Sequence, residues 1–545
     1  MLTVSHLAKS YGVQTILDDV SFVLNRGERA GLVGVNGAGK TTLLRIIAGI
    51  EQPDAGFARV DAHATLGYLP QGLALDDALS LDALIRQGAA AWENARRAMD
   101  ALAAQLERDA ANANLLAQYG EAVAQFEVLG GYAVEQRITE VLRGLGLDAL
   151  PRELSIGKLS GGQRTRAGLA RLLISGADVL LLDEPTNHLD VDALEWLEDF
   201  VRAYDGVVLM VSHDRVFLDN TVTQILELDD MTHCVTIFHG NYADYQDARA
   251  RALAQQWSAY HDQQDELARL TDAARHLRGI AKFRQGGKAD TGDKFAKGFF
   301  ANRGKETVRR AKAIERRIEI LQTDEKIEKP KAGYALKLDF GEMPRSGQMV
   351  LQLDDVGMRF GEQWLFRHAA QILRHGERIA LIGANGTGKS TLLKIIAGEL
   401  TASEGAVRLG ANVRLGYMPQ EQEILNGTQT PLGLIRALMP VDETEARHFL
   451  HQFMFQGDEV FTPIISLSYG ERARLILAKL VAEKANVLLL DEPINHLDIP
   501  SRERFEAALD AFPGTIVVAA HDRAFIARFA SGMWAMEQNT LRAYA

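Results

Sequence analysis

The sequence predicts an α/β chain in which one fold is used twice in tandem, with an α-helical hairpin between the copies. Three observations predict it. The string Gly34-Val35-Asn36-Gly37-Ala38-Gly39-Lys40-Thr41 recurs as Gly383-Ala384-Asn385-Gly386-Thr387-Gly388-Lys389-Ser390. Later landmarks keep step: Lys40 to Gln71 and Lys389 to Gln420 both span 31 positions, Leu159 to Asp183 and Leu467 to Asp491 both span 24, and Asp183 to His213 and Asp491 to His521 both span 30. Between the copies, residues from about 247 to 326 carry apolar side chains in a seven-residue rhythm. The expected division is 1–246 for the first domain, 247–330 for the hairpin and 331–545 for the second domain.

Each glycine-rich string follows an apolar run (Ala30 to Val33, Ile379 to Ile382) and opens a helical pattern, the strand-loop-helix setting of a phosphate-binding loop. Glycines let consecutive amides turn inward around phosphates, the helix N-terminus adds partial positive charge, and Lys40 or Lys389 reaches the outer phosphates. Thr41 and Ser390 are placed to offer a hydroxyl to Mg²⁺. Val179 to Leu182 and Val487 to Leu490 read as buried parallel strands, each ending in Asp-Glu-Pro. An acidic pair at the carboxyl end of a central strand lies beside the phosphate loop, which assigns Asp183 and Asp491 to the Mg²⁺ sphere and Glu184 and Glu492 to polarising the attacking water. His213 and His521 follow further apolar strands and are expected to contact the terminal phosphate.

Composition bounds the rest. With 47% hydrophobic and 24% charged residues the chain is neither disordered nor fibrous. No apolar run approaches the roughly 18 residues of a membrane-spanning helix, and the start lacks a basic-then-apolar leader, so a cytoplasmic location is expected. The single cysteine, Cys234, is expected to be a buried apolar side chain in a reducing compartment. A net charge of −12 means that any affinity for nucleic acid must come from a local basic patch.

The two phosphate loops, Leu159-Ser160-Gly161-Gly162-Gln163, the Asp-Glu-Pro strands, and Asn187-His188-Leu189-Asp190 with Asn495-His496-Leu497-Asp498 resemble the ABC ATPases. The Glu-Pro-Thr-Asn-His-Leu-Asp string and two cassettes without a membrane domain resemble the ABC-F subfamily, and the resemblance covers essentially the whole chain. It implies a head-to-tail cassette pair with two ATPs between them. One site would join Gly34, Asn36, Gly37, Gly39, Lys40, Thr41, Thr42, Gln71, Asp183, Glu184 and His213 to Ser468 and Gly470. The other would join Gly383, Asn385, Gly386, Gly388, Lys389, Ser390, Thr391, Gln420, Asp491, Glu492 and His521 to Ser160, Gly161, Gly162 and Gln163. Gln71 and Gln420 would also touch the Mg²⁺, and Tyr11 and Phe360 would stack on adenine. An intramolecular cassette pair implies a monomer with no obligate protein subunit.

The halves also differ. The second signature reads Leu467-Ser468-Tyr469-Gly470-Glu471, with Tyr and Glu where the family has Gly and Gln; Ser468 and Gly470 are retained, so the first site is expected still to work, and the sequence leaves open whether the two sites are equal. Ile494 stands where the first cassette has Thr186, a replacement the sequence alone does not explain. Gln71 to Leu159 spans 88 positions and Gln420 to Leu467 only 47, a surplus of 41 in the first cassette. Its pattern is helical, with Met99, Leu102 and Leu106, then Leu116, Tyr119, Val123 and Phe126 on one face, and it resembles the ABC-F arm at about 81–147.

In the hairpin, Leu253, Trp257, Tyr260, Leu267, Leu270, Ala274 and Leu277 form one seam, and Val308, Ala311, Ile314, Ile318 and Leu321 the other. From Arg275 to Arg317 fourteen Lys and Arg face four acidic residues. Lys282, Arg284, Lys288, Lys294, Lys297, Arg303 and Lys305 near the tip are the candidate RNA-binding residues, with aromatics between them. The family resemblance implies a ribosomal partner, the arm touching the large subunit and the linker reaching toward transfer RNA and the peptidyl-transferase centre. The competing expectations are a membrane-transporter motor and a DNA-maintenance ATPase. Fused cassettes and a long basic hairpin argue against the first; the chain's stop at Ala545, soon after the strand-like 532–536, argues against the second.

Overall fold

Val179–Asp183 and Val487–Asp491 share the string Val-Leu-Leu-Leu-Asp, and every residue of both is buried. A strand apolar on both faces belongs inside a parallel sheet covered on each side, where each Val or Leu contributes about 1.5–3 kcal/mol through burial. The computed structural model, which describes residues 1–72, 75–109, 112–187, 189–286, 294–329, 344–420, 425, 427–495 and 497–544, puts both strands there. In the first cassette the order is Leu66–Leu69, Val179–Asp183, Val207–Val211, Arg29–Val33, Gln224–Leu228 and Val235–His239, parallel except for the last pair. The second repeats it with Leu415–Met418, Val487–Asp491, Thr515–Ala519, Arg378–Gly383, Gly532–Glu537 and Thr540–Tyr544. Each cassette adds a three-stranded antiparallel sheet, centred on Leu2–Tyr11 in one and Met349–Phe360 in the other. Parallel alignment gathers the carboxyl ends of neighbouring strands at one edge, so the phosphate loop, the acidic pair and the histidine emerge side by side.

The chain divides into two units, Met1–Tyr242 with Ala335–Ala545, holding both cassettes, and Ala243–Tyr334. The surplus of the first cassette folds as the helices Ala90–Leu106 and Ala113–Val128, closed by Trp92 against Phe126 at 5.8 Å between ring centroids and by the Trp92 indole donating to the Gly131 carbonyl at 2.6 Å. Of the face expected on the second helix, Phe126 is buried and Tyr119 and Val123 are half-buried, but Leu116 is 60% exposed, because the helix starts at its Asn112 cap and turns Leu115, not Leu116, inward.

In the second unit Tyr242–Gly286 and Lys294–Gln322 are helices. They run antiparallel, since Arg278 pairs with Glu315 at 2.7 Å while, nearer the other end, the Gln263 amide donates to the Glu325 carbonyl at 2.6 Å. Ala274, Ala311 and Leu321 of the expected seams are buried, whereas Leu253 is exposed. A polar residue, Gln263, is buried at the seam, and its amide oxygen also accepts from the Ile327 amide at 2.9 Å. Of the tip candidates, Lys288 lies outside the described residues, and the side chains of Lys282, Arg284, Lys294, Lys297, Arg303 and Lys305 likewise lie outside the description. Cys234, expected to be buried, is only half-buried, with its thiol donating to the Thr232 carbonyl at 3.3 Å, because it sits in the turn before an edge strand.

Candidate functional site

Each phosphate loop is closed by a glycine in the left-handed region, Gly39 at φ 105° and Gly388 at φ 103°, which starts the following helix. A Cβ at Gly39 would meet Ile16 Cγ2 at 2.5 Å, so both backbone and space require glycine. The loop wraps its own lysine: Lys40 Nζ donates to the carbonyls of Gly34 and Val35 at 2.7 and 3.0 Å, and Lys389 Nζ to those of Gly383 and Ala384 at 2.7 and 3.1 Å. Burial lowers the pKa of both lysines, and the nearby carboxylates oppose the shift.

At the strand ends, Glu184 and Glu492 sit at φ 55° and 49°, positive values that a residue with a side chain rarely adopts. Each is pinned there by its amide, which donates at 2.9 Å to Val211 or Ala519 of the neighbouring strand. The kink directs the carboxylates toward the histidines: Glu184 Oε1 lies 3.0 Å from His213 Nε2, and Glu492 Oε1 lies 3.5 Å from His521 Nε2. Burial pushes the Glu184 pKa up, but His213, Lys40 and Arg502 of the other cassette outweigh it and hold the carboxyl below its usual range. Burial raises Asp183 despite a hydrogen bond from Thr41, and it raises Asp491 to about 6 despite one from Ser390. Among the described residues, Asp183 Oδ2 and Asp491 Oδ1 are buried without a hydrogen-bond partner. A hydroxyl, a carboxylate and an unpartnered anionic oxygen make a hard-donor set that suits Mg²⁺, which takes one or two protein oxygens and fills the remainder with phosphate and water.

The two cassettes meet at these loops in matched pairs. Asp498 Oδ2 accepts the Asn36 amide at 2.6 Å, and Asp190 Oδ2 accepts the Asn385 amide at 3.3 Å. Each aspartate begins a helix in one cassette and touches the phosphate loop of the other. Alongside, Arg215 reaches Glu506 at 2.5 Å, and Arg523 reaches Glu198 in the matching place. Asp190, Asp498, Arg215 and Arg523 are site residues to which sequence reasoning gave no role; their signal was the same matched offset, Asp190 and Asp498 closing the Asn-His-Leu-Asp strings and each arginine lying two places after its histidine.

Other candidates fall as follows. Tyr11 and Phe360 present rings 49% and 57% exposed, and the Tyr11 hydroxyl donates to Glu51. Thr42 and Thr391 are half-buried in the first turns after the loops. Ser160 and Ser468 cap the helices Gly161–Ser175 and Tyr469–Ala482 through reciprocal bonds with Gln163 and Glu471. The exchange of Gln for Glu changes the serine: Ser468 Oγ donates to Glu471 Oε2 at 2.8 Å, committing its proton to the carboxylate. Gly162 is half-buried, and Gly470 is packed near Leu497 and Ser501. Gln71 is exposed, while Gln420 Nε2 donates to Glu492 Oε2 at 2.7 Å, an oxygen also reached by Asn495 Nδ2 at 2.6 Å. Ile494 is explained by its neighbour. Thr186 Oγ1 bonds Ser212 Oγ at 3.0 Å in the first cassette, and in the second both polar residues give way together to buried Ile494 and Ala520. His188 and His496 lie outside the described residues.

The family described as ABC transporter matches residues 17–187 and 367–495. Among curated relatives, putative ATP-binding protein YdiF of Bacillus subtilis (strain 168) is 37% identical over 548 residues, spanning 100% of this chain and 81% of the relative. Tylosin resistance ATP-binding protein TlrC of Streptomyces fradiae is 37% identical across 97% of this chain and 96% of its own length. ABC transporter F family member 5 of Arabidopsis thaliana is 34% identical across 99% of this chain and 75% of its own. Among solved structures, that of the complex of archaeal ribosomal stalk protein aP1 and archaeal ribosome recycling factor aABCE1 shares the fold, with TM-score 0.62, 18% identity and coverage of 99% of this chain and 89% of the other.

Proposed function

The chain belongs to the F subfamily of the ATP-binding cassette ATPases, and from that premise we propose that ATP closes its cassettes into a clamp that holds the ribosome until hydrolysis releases it. The observation that carries the clamp is the reciprocal pair of bonds from Asp498 to the Asn36 amide and from Asp190 to the Asn385 amide, which ties each phosphate loop to the opposite cassette.

In this reading the amides of Gly34 to Lys40 and of Gly383 to Lys389 cradle the phosphates, and Lys40 and Lys389 turn from loop carbonyls to phosphate oxygens. Thr41, Asp183 and Gln71, with Ser390, Asp491 and Gln420, would hold Mg²⁺, which supplies charge neutralisation on the phosphates. Glu184 and Glu492 accept a hydrogen bond from the attacking water, and His213 and His521 hold its geometry. Arg502 contributes from across the interface to keeping Glu184 ionised, so closure of the cassettes also prepares the base. Ser468 and Gly470 cap the first site, Ser160 to Gln163 cap the second, and Tyr11 and Phe360 stack on adenine.

A ribosomal partner is supported by the basic excess of the hairpin and by relatives whose names concern tylosin resistance and, at the level of fold, ribosome recycling. The hairpin tip, from Lys282 to Lys305, is the proposed contact with transfer RNA near the peptidyl-transferase centre, and the protein acts as a cytoplasmic monomer. No described helix is long and apolar enough to cross a membrane. The test is ATP turnover with and without purified ribosomes after reversal of the seven tip charges. Loss of the ribosome-dependent increment with basal turnover retained is expected, and equal loss of both would overturn the assignment.

A further inference from the structure

The second signature differs from the first at Tyr469 and Glu471, and of the two Tyr469 bonds to a residue outside the signature. Tyr469, at the position of Gly161, is half-buried, and its hydroxyl donates to the Gln420 carbonyl at 2.7 Å. Gln420 in turn donates its amide to Glu492 Oε2 at 2.7 Å. Among the described residues the first cassette has no such connection. A Cβ at Gly161 would meet nothing within 4 Å, Gln71 is exposed, and Glu184 Oε2 is buried with no partner among the described residues.

The same signature helix leans on the loop that touches the first phosphate loop. Asp498 accepts the Asn36 amide through Oδ2 and the Ser501 amide through Oδ1 at 2.8 Å, and a Cβ at Gly470 would lie 3.8 Å from Ser501 Oγ. Hydrogen bonds thus join the first phosphate loop to Asp498 and Ser501, and join Tyr469 through Gln420 to Glu492; between these two runs the Asp498–Ser501 turn and Gly470 of the signature helix lie side by side, with room for little more than a methyl group at Gly470. Neighbouring segments so arranged can bias one another.

We propose that Tyr469 is a positioning residue that ties occupancy of the first phosphate loop to the placement of Glu492, so that the second site hydrolyses ATP once the first has closed. The coupling is asymmetric between the two sites, because Gly161 has no hydroxyl with which to make the matching bond toward Glu184, while along the Tyr469 path the influence is reciprocal. The inference rests on the reading of the two glutamates given above.

The test uses Tyr469→Phe, which keeps the ring and deletes the bond. In the full chain carrying Glu184→Gln, so that turnover reports the second site, kcat falls about tenfold, equivalent to about 1.4 kcal/mol of barrier, while KM for ATP moves less than about twofold. In the chain carrying Glu492→Gln, the loss is several-fold smaller. Equal losses in both chains, or a raised KM with kcat intact, would overturn the proposal. A second measurement does not depend on turnover. In Lys389→Ala, which confines ATP to the first loop, ATP slows amide exchange in the peptide spanning 415–420, and adding Tyr469→Phe abolishes the slowing; slowing that persists would overturn it. If Glu184→Gln together with Glu492→Gln leaves hydrolysis intact, the reading of the glutamates fails instead, and that result is seen without any change at Tyr469.

Discussion

Arg523→Ala and Arg215→Ala remove equivalent guanidiniums from the cassette interface, but their costs differ because the carboxylates they leave behind differ. Glu506 is 1% exposed and keeps a second cation, since Arg528 lies 2.8 Å from its Oε2. Glu198 is 4% exposed and, among the described residues, keeps only the neutral Asn220 amide at 2.9 Å. Breaking a buried ion pair by removing one partner costs roughly 3–5 kcal/mol. Arg523 is itself 23% exposed, which trims the figure to about 2–3 kcal/mol. For Arg215, with Glu506 still compensated, about 1 kcal/mol remains. Both pairs join one cassette to the other, so the cost falls on the closed form and appears as weaker ATP binding. At tenfold per 1.4 kcal/mol, Arg523→Ala weakens apparent affinity by about 30- to 140-fold and Arg215→Ala by about fivefold. The assay is equilibrium binding of a fluorescent ATP analogue to the chain carrying Glu184→Gln and Glu492→Gln. A double-mutant cycle of Arg523→Ala with Glu198→Ala should return a coupling of about 2 kcal/mol. Coupling below about 0.5 kcal/mol, or equal effects of the two arginines, would show that Glu198 does not depend on Arg523 for its charge compensation.

Asp491 gives a pH-dependent outcome. Its folded pKa of about 6 lies above the ordinary 3.8, so the native state favours the protonated form; this stability is fully present below pH 3.8 and lost as pH rises through 6. Asp491→Asn should therefore raise Tm at pH 7.5, with a ceiling of about 3 kcal/mol from a shift of about two units, and the gain should shrink at pH 5. A lower Tm for the Asn variant at pH 7.5 contradicts the assignment. In the arm, Trp92→Ala removes a side chain 5% exposed that holds two helices together, at a cost of about 3–5 kcal/mol. Limited proteolysis should then open sites between 90 and 128 while both cassettes stay resistant; an unchanged digestion pattern would show that the arm is held by other contacts.

Much of the fold was legible because its signals are local or periodic. Glycines at fixed offsets, the Val-Leu-Leu-Leu-Asp strings and the heptad seams each encode one element, and the equal spacings encode its duplication. The arm's inward face was misread by one residue at Leu116, since its register depends on the Asn112 cap and not on apolar spacing alone. Within the site, residue types at the strand ends were readable, but their aim was not. The left-handed backbone of Glu184 and Glu492 is imposed by a neighbouring strand's carbonyl. Contacts between the halves were invisible for a different reason. The bond from Asn36 to Asp498 joins residues 462 positions apart, and nothing in either neighbourhood specifies the other. Ile494 looked unexplained until its partner was known; comparison of Ser212 with Ala520 would have shown that the polar pair had been exchanged as a unit.

The most direct test of the clamp is sedimentation of cell extract containing the Glu184→Gln, Glu492→Gln chain through a sucrose gradient with ATP present. The protein should travel with ribosomes and return to the top when ATP is replaced by ADP. Protein that remains at the top with ATP, or that appears in the membrane fraction, would contradict the clamp.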